Sequence, residues 1–191
     1  MALEEAKYTV ILKDESFELR QYEPHLVAET VVDGNFDKAG NEGFRRLFKY
    51  ISGENQNKRS IAMTAPVSQD AGSEKMAMTA PVSQERTDGR WRVAFVMPSE
   101  YTMDTLPQPV DPKVSLRQVP ARRMAAITYS GTWSRERYEK HRALLEAFIQ
   151  KHKLSPLGEP VLARYNSPFT LWFLRRNEVL VPVQGPDEER K

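Results

Sequence analysis

The chain has 191 residues, 40% of them apolar, and 28 Lys and Arg against 26 Asp and Glu give a net charge of +2. That apolar content can fill a core, which excludes disorder over most of the length, and the balanced charge with no basic run excludes an electrostatic case for nucleic acid. With no cysteine, disulfides, thiolate metal sites and a cysteine nucleophile are excluded.

The N-terminal stretch lacks a basic region followed by an apolar core, and no apolar run approaches the roughly 20 residues of a membrane span. The expectation is a cytoplasmic protein without a membrane or nucleic-acid partner. Tyr8 to Leu12 and Phe17 to Tyr22 alternate as strands do, with Lys13 to Ser16 turning between them, and Leu26 to Val32 is a third strand. Asp33-Gly34-Asn35 turns into a first helix, for which Asp37 is the expected N-cap and Gly53 the expected stop. Phe44, Leu47, Phe48 and Ile51 fall at i, i+3, i+4, i+7 and predict its apolar face. Burying those four contributes roughly 6–12 kcal/mol before entropy.

Next comes a duplication. Ala62-Met63-Thr64-Ala65-Pro66-Val67-Ser68-Gln69 recurs unchanged as Ala77 to Gln84, 15 positions on. Both copies suit extended chain, with turn formers at Asp70-Ala71-Gly72 between them, so an antiparallel hairpin is predicted. Pro66 and Pro81 each remove a ladder donor, which places these strands at an edge or a bulge. Trp91 to Met97 is a strand, and the proline-rich Pro98 to Pro112 an ordered loop or a flap. Val114 to Val119 and Met124 to Tyr129 are strands. A second helix follows Ser134 as N-cap to about Lys153, with Leu144, Leu145, Phe148 and Ile149 as its core face. Val161 to Tyr165 is a strand, Asn166 to Phe169 a turn, and a last apolar run ends near Val183. Residues 184–191 form a polar tail.

A subtler repeat lies beneath this order. Shifted by 97 positions, 17–51 falls on 114–148 without a gap, with eight identities in 35 positions, among them Leu19-Arg20-Gln21 on Leu116-Arg117-Gln118 and Gly34 on Gly131. Chance gives roughly two or three. The fold expected is α+β: one domain over 1–183, with repeats of about 8–89 and 90–183. Two β-β-α-β units related by a pseudo-two-fold axis join their antiparallel sheets and carry one helix each. The junction of the halves is the default place for a ligand.

The blocks Phe17-Glu18-Leu19-Arg20-Gln21-Tyr22-Glu23-Pro24, the doubled Ala-Met-Thr-Ala-Pro-Val, Gly131-Thr132-Trp133, and Ala163-Arg164-Tyr165-Asn166-Ser167-Pro168-Phe169-Thr170-Leu171 with Arg175-Arg176-Asn177-Glu178-Val179 resemble the SOUL heme-binding family. They span about Tyr8 to Val183. The resemblance implies a distorted β-barrel flanked by two helices, similar to the gyrase-inhibitor-like ligand-binding fold. It also implies binding of heme or another tetrapyrrole, either through an axial His or on an apolar surface by the first helix. The alternative is a binding module for another amphipathic small molecule or a protein partner.

Three His could supply an axial ligand. His25 begins a strand and is either an iron ligand or an ordinary exposed His. His141 and His152 share the second helix about 16 Å apart and cannot clamp one iron. Met63 and Met78 suit a flat apolar ligand or plain core. On the helix, Phe44, Arg45, Leu47 and Phe48 are ligand contacts or core. Phe169, Trp172 and Phe173 could build a stacking wall. Arg175 and Arg176 could hold propionates, or form a solvated strand end or a structural pair with Glu178. Elbow, zinc, P-loop and dinucleotide signatures are absent, so no enzyme is expected. Oligomeric state stays open.

Overall fold

The computed structural model describes residues 5–57, 61, 67–71, 90–166 and 170–185. Among these, the elements run β1 (Tyr8–Asp14), β2 (Phe17–Tyr22), β3 (His25–Asp33), α1 (Phe36–Ile51), β4 (Val67–Ala71), β5 (Arg90–Val96), β6 (Val114–Val119), β7 (Arg122–Tyr129), α2 (Arg135–Lys151), β8 (Ser155–Pro156), β9 (Val161–Arg164) and β10 (Asn177–Gln184), with a 3-10 turn at Trp172–Leu174 before β10. The class is α+β. Every strand pairing is antiparallel. The strands follow the order β1-β2-β7-β10-β9-β4-β5-β3-β6, with β8 on β10. The path ends at β1 and β6, and among the described residues no pairing closes it into a barrel.

The 97-residue offset carries β2 onto β6, end for end, and β3 onto β7. Gly34 and Gly131, which the offset superposes, both turn at φ 126°. Side chains are strained there, so each turn into a helix depends on glycine. Reading the path from β2 to β6 and back again gives the same order once β4 is set against β9 and β5 against β10.

Asn35 caps α1 by accepting the Lys38 amide at 3.0 Å, and Ser134 caps α2 by accepting that of Arg137 at 3.3 Å. Ser134 was expected. Asp37 was not the cap, because the Gly34 turn places Asn35 at the last non-helical position. α1 packs Leu47, Tyr50 and Ile51 on Ala28 of β3 and on Val93 and Phe95 of β5. α2 packs Leu145, Phe148 and Ile149 on Leu19, Ile127, Leu162 and Val179. Both buried faces are turned by about one residue from the predicted ones. Phe48 stays 46% exposed and Leu144 44% exposed, while Tyr50 and Tyr138 are buried.

β4 corrects the reading of the duplication. It is not an edge strand, since it pairs with β5 on one side and β9 on the other. Asp70 and Ala71, read as turn, extend it. Ala62–Pro66 and the whole second copy lie outside the described residues, so the predicted hairpin does too. Pro98 to Pro112 is ordered as expected: Leu106 is buried, and the Pro107 carbonyl accepts from the Tyr50 hydroxyl at 2.7 Å. No helix among the described residues is long and apolar enough to cross a membrane.

Candidate ligand-binding site

Strand alternation sends successive side chains to opposite faces of the sheet. Leu26, Ala28, Val93, Phe95 and Leu116 face α1, while Ala125 and Val179 face α2. Their neighbours form a second, inner face. Val27, Ala94 and Val119 pack together there, beside Tyr22, Met124, Val161 and Leu180. Between these groups lies a cleft of about 110 Å³, with Arg92, Arg117 and Arg122 in its wall. A second cleft of about 340 Å³ adjoins it at the sheet end. Ala6, His25 and Val96 line both.

Arg117 donates Nε and Nη2 to Glu29 Oε2 at 2.9 and 2.8 Å, and Arg92 Nε lies 3.8 Å from the same oxygen. That last separation is an ion pair and not a hydrogen bond. His25 Nδ1 lies 2.9 Å from the Glu23 carbonyl. A carbonyl only accepts, so Nδ1 carries the proton and Nε2 keeps its lone pair. Burial lowers the His25 pKa, the Glu23 bond opposes this, and the charges of Arg122 and Arg117 lower it again. The ring is therefore neutral near pH 7, when Nε2 can act as a ligand atom.

Further along the same face, the Glu178 carboxylate is wholly buried and fully engaged. Arg20 grips it with Nη1 at 2.7 Å and Nη2 at 2.9 Å, Tyr165 donates at 2.6 Å, Thr128 at 3.0 Å, and Arg176 with Nε and Nη2 at 3.2 and 3.0 Å. Burial alone would raise the Glu178 pKa; the Arg20 bonds and charge, then Tyr165 and Arg176, bring it below the usual carboxylate value. Burial and the neighbouring Glu178 charge push the Tyr165 phenol well up. With its oxygens filled, this carboxylate is a structural anchor and has no lone pair spare for a ligand.

The predicted site residues fall in three places. On α1, Leu47 is fully buried and serves the core. Phe44 packs edge-on against Phe95 with centroids 5.3 Å apart and stacks on the exposed Phe48 at 6.0 Å; Arg45 is exposed beside them. Before β10, Trp172 and Phe173 stand exposed and T-shaped at 5.6 Å, on a 3-10 turn. Arg175 lies over Trp133 at 4.4 Å and donates to the Thr170 carbonyl at 2.8 Å. Arg176 is held by Glu178 and by Glu5 at 3.0 Å, which is the pairing reading rather than a free propionate clamp. Third, His25 sits at the two clefts, on the face away from Phe44 and Leu47. Met63, Met78 and Phe169 lie outside the described residues. Among those described, no group of three or more His, Asp or Glu is placed to hold a metal ion.

The sequence reading missed Arg92, Arg117, Arg122 and Glu29. Their signal was a charge inside an otherwise apolar period-2 row: Arg92-Ala94-Val96, Arg117-Val119, Arg122-Met124. Heme fits the two kinds of surface differently. The inner cleft falls below the roughly 300–1,000 Å³ of pockets that enclose drug-sized ligands, so it cannot enclose a tetrapyrrole. The open Phe44–Phe48 stack presents aromatic faces that a flat ring can lie on.

A family model described as SOUL heme-binding protein matches residues 3–182. Heme-binding protein 1 of Xenopus tropicalis is 26% identical over 170 residues, covering 85% of each chain. Heme-binding protein 2 of Homo sapiens is 26% identical over 181 residues, covering 92% of this chain and 82% of that one. Among solved structures, the C-terminal domain of EcmrR superposes with a TM-score of 0.65 at 8% identity, over 93% of this chain and 98% of that one. At that identity the likeness concerns the fold alone.

Proposed function

The chain belongs to the SOUL heme-binding protein family, and from that premise we propose that it binds heme or a related tetrapyrrole without catalysing a reaction. The ligand lies on the outer surface of α1 and is held mainly by apolar contact with Phe44 and Phe48. Arg45 supplies a cation for a propionate. The observation that carries this reading is the exposed Phe48 ring stacked on Phe44. Phe48 is 46% exposed while Leu47, Tyr50 and Ile51 of the same helix are buried, so the ring face turned from Phe44 is open to a flat apolar partner. His25 is the tentative axial ligand of the competing mode, in which heme edges into the larger cleft, where its Nε2 lone pair is available.

Hemin titration by absorbance, with Phe48→Ala and His25→Ala, tests the reading. The proposal expects a saturable Soret shift that Phe48→Ala weakens and His25→Ala leaves intact. Loss of the shift in His25→Ala would move the ligand to the cleft, and no saturable shift in the native chain would end the tetrapyrrole reading.

The architecture behind this reading is one domain over 1–183. We take it as a distorted barrel of two pseudo-two-fold repeats, supported by the symmetric strand order and the paired glycines. A second reading, a module for another amphipathic small molecule, is favoured by one observation: the two adjoining clefts combine apolar walls with charged rims. A cytoplasmic location fits both readings.

A further inference from the structure

The inner cleft is the feature that heme binding at α1 leaves unused. Its floor is apolar: Val27, Ala94, Val96, Val119, Met124 and Leu180. The charges described in its wall are of one sign. Arg92, Arg117 and Arg122 line it, and no carboxylate stands among the described residues of its wall. Among the described residues, Glu29 on the β3 inner row borders it, and one of its oxygens serves two guanidiniums. Arg117 takes both short bonds. Arg92 is left with Nε buried, without a hydrogen-bond partner, 3.8 Å from that oxygen. A buried guanidinium N–H that lacks an acceptor carries a desolvation cost that an incoming anion removes.

The other buried acid described on this face is already engaged. Glu178 is consumed by Arg20, Arg176, Tyr165 and Thr128. A cationic guest would therefore meet three arginines and no free carboxylate among the described residues of the cleft wall. An anionic guest with an apolar body finds the complementary arrangement.

We propose that the inner cleft is a carboxylate-binding site for a small amphipathic acid, whose head is received by Arg92 and Arg117 and whose apolar body lies along Val27, Ala94, Val96 and Val119. Glu29 acts as the built-in competitor. It occupies Arg117 when the cleft is empty and yields part of that guanidinium to the incoming carboxylate. A body longer than the cleft continues past Ala6, His25 and Val96 into the larger one. This proposal rests on the amphipathic-ligand reading and is independent of heme at α1.

The probe is octanoate, with 1-octanol as the uncharged body of the same length. Both are titrated into the full chain and followed by thermal stabilisation and calorimetry. The expected result is saturable octanoate binding at least about tenfold tighter than octanol, as a charge-assisted contact confers. Arg92→Gln, a partly exposed position that leaves the core untouched, should weaken octanoate about tenfold and leave octanol unchanged. Glu29→Gln should tighten octanoate, because both guanidiniums are released. A merely destabilising change at Glu29 could not produce that direction.

Equal binding of octanoate and octanol would overturn the anion assignment and leave the amphipathic reading standing. Binding of neither would overturn both. Octanoate binding that is indifferent to Arg92→Gln, or weakened by Glu29→Gln, would overturn the assignment to this cleft.

Discussion

Arg20 and Glu178 form a forked ion pair on the inner face of the sheet, with N–O distances of 2.7 and 2.9 Å, and with side chains 2% and 0% exposed. They are 158 positions apart in the chain. The pair ties β2 and β10 together across β7, which lies between them in the sheet. Arg20 also reaches Glu18 at 2.8 Å and covers the Tyr8 ring at 4.4 Å, so one guanidinium joins β1, β2 and β10.

Breaking this pair on one side strands a buried charge. Glu178→Gln or Arg20→Met should each destabilise the fold by about 3–5 kcal/mol. The double variant Arg20→Met with Glu178→Leu should cost clearly less than the two single changes added together. Urea denaturation of the four proteins measures this, and additivity would show that the two side chains do not act as a unit.

Acid should unfold the protein through the same group. The folded-state pKa of Glu178 lies below its ordinary 4.5, so its contribution is complete above about pH 4.5 and is lost as pH falls through the folded value. His25 acts in the same direction at higher pH. Its folded pKa lies below 6.5, so the unfolded chain binds the proton first and stability declines as pH drops from 6.5. His25→Gln should flatten the slope of melting temperature between about pH 6.5 and 5. An unchanged slope would exclude His25 as its source.

Leu47 and Phe48 are neighbours with opposite fates. Leu47→Ala opens a cavity between α1 and the sheet and should cost about 2–5 kcal/mol. Phe48→Ala should stay within about 1 kcal/mol, since half the ring is already in water. Comparable losses at both positions would mean that Phe48 serves the core.

Gly43 lies in α1 directly over Val93. A Cβ there would stand 2.5 Å from Val93 Cγ2 and 2.6 Å from its Cβ. Gly43→Ala gains about 1 kcal/mol of helix propensity, yet should lower stability by about 1–3 kcal/mol because α1 must lift off β5. Gly43→Ala combined with Val93→Ala should recover part of that loss in denaturation measurements.

Much of the fold was legible locally. β2, β3 and α1 repeat as β6, β7 and α2 because alternation, glycine turn and helix period all agree within each unit. What was not legible depends on distant partners. The first copy of the duplication was read as an edge strand because it contains Pro66, but the neighbours of β4, β5 and β9, are chosen by pairing across the whole chain. The exposure of Phe48 and Leu144 follows from how each helix rolls on the sheet, which spacing fixes only to within a residue or so. The site was legible in type and not in place. His25, Phe48 and Arg175 were all picked out as ligand-facing, yet strand alternation and the 3-10 turn put them on separate surfaces. The inner arginines were passed over, since a charge in a strand reads as solvated until the opposite face is known to carry the helices.

The central claim is tetrapyrrole binding on the outer face of α1, and hemin titration of the native chain beside Phe48→Ala tests it most directly. The account predicts a saturable Soret shift at micromolar protein whose apparent affinity falls about tenfold in Phe48→Ala, with the melting temperature of the unliganded variant nearly unchanged. A native Soret titration that Phe48→Ala reproduces without loss, or no saturable shift at all, would contradict it.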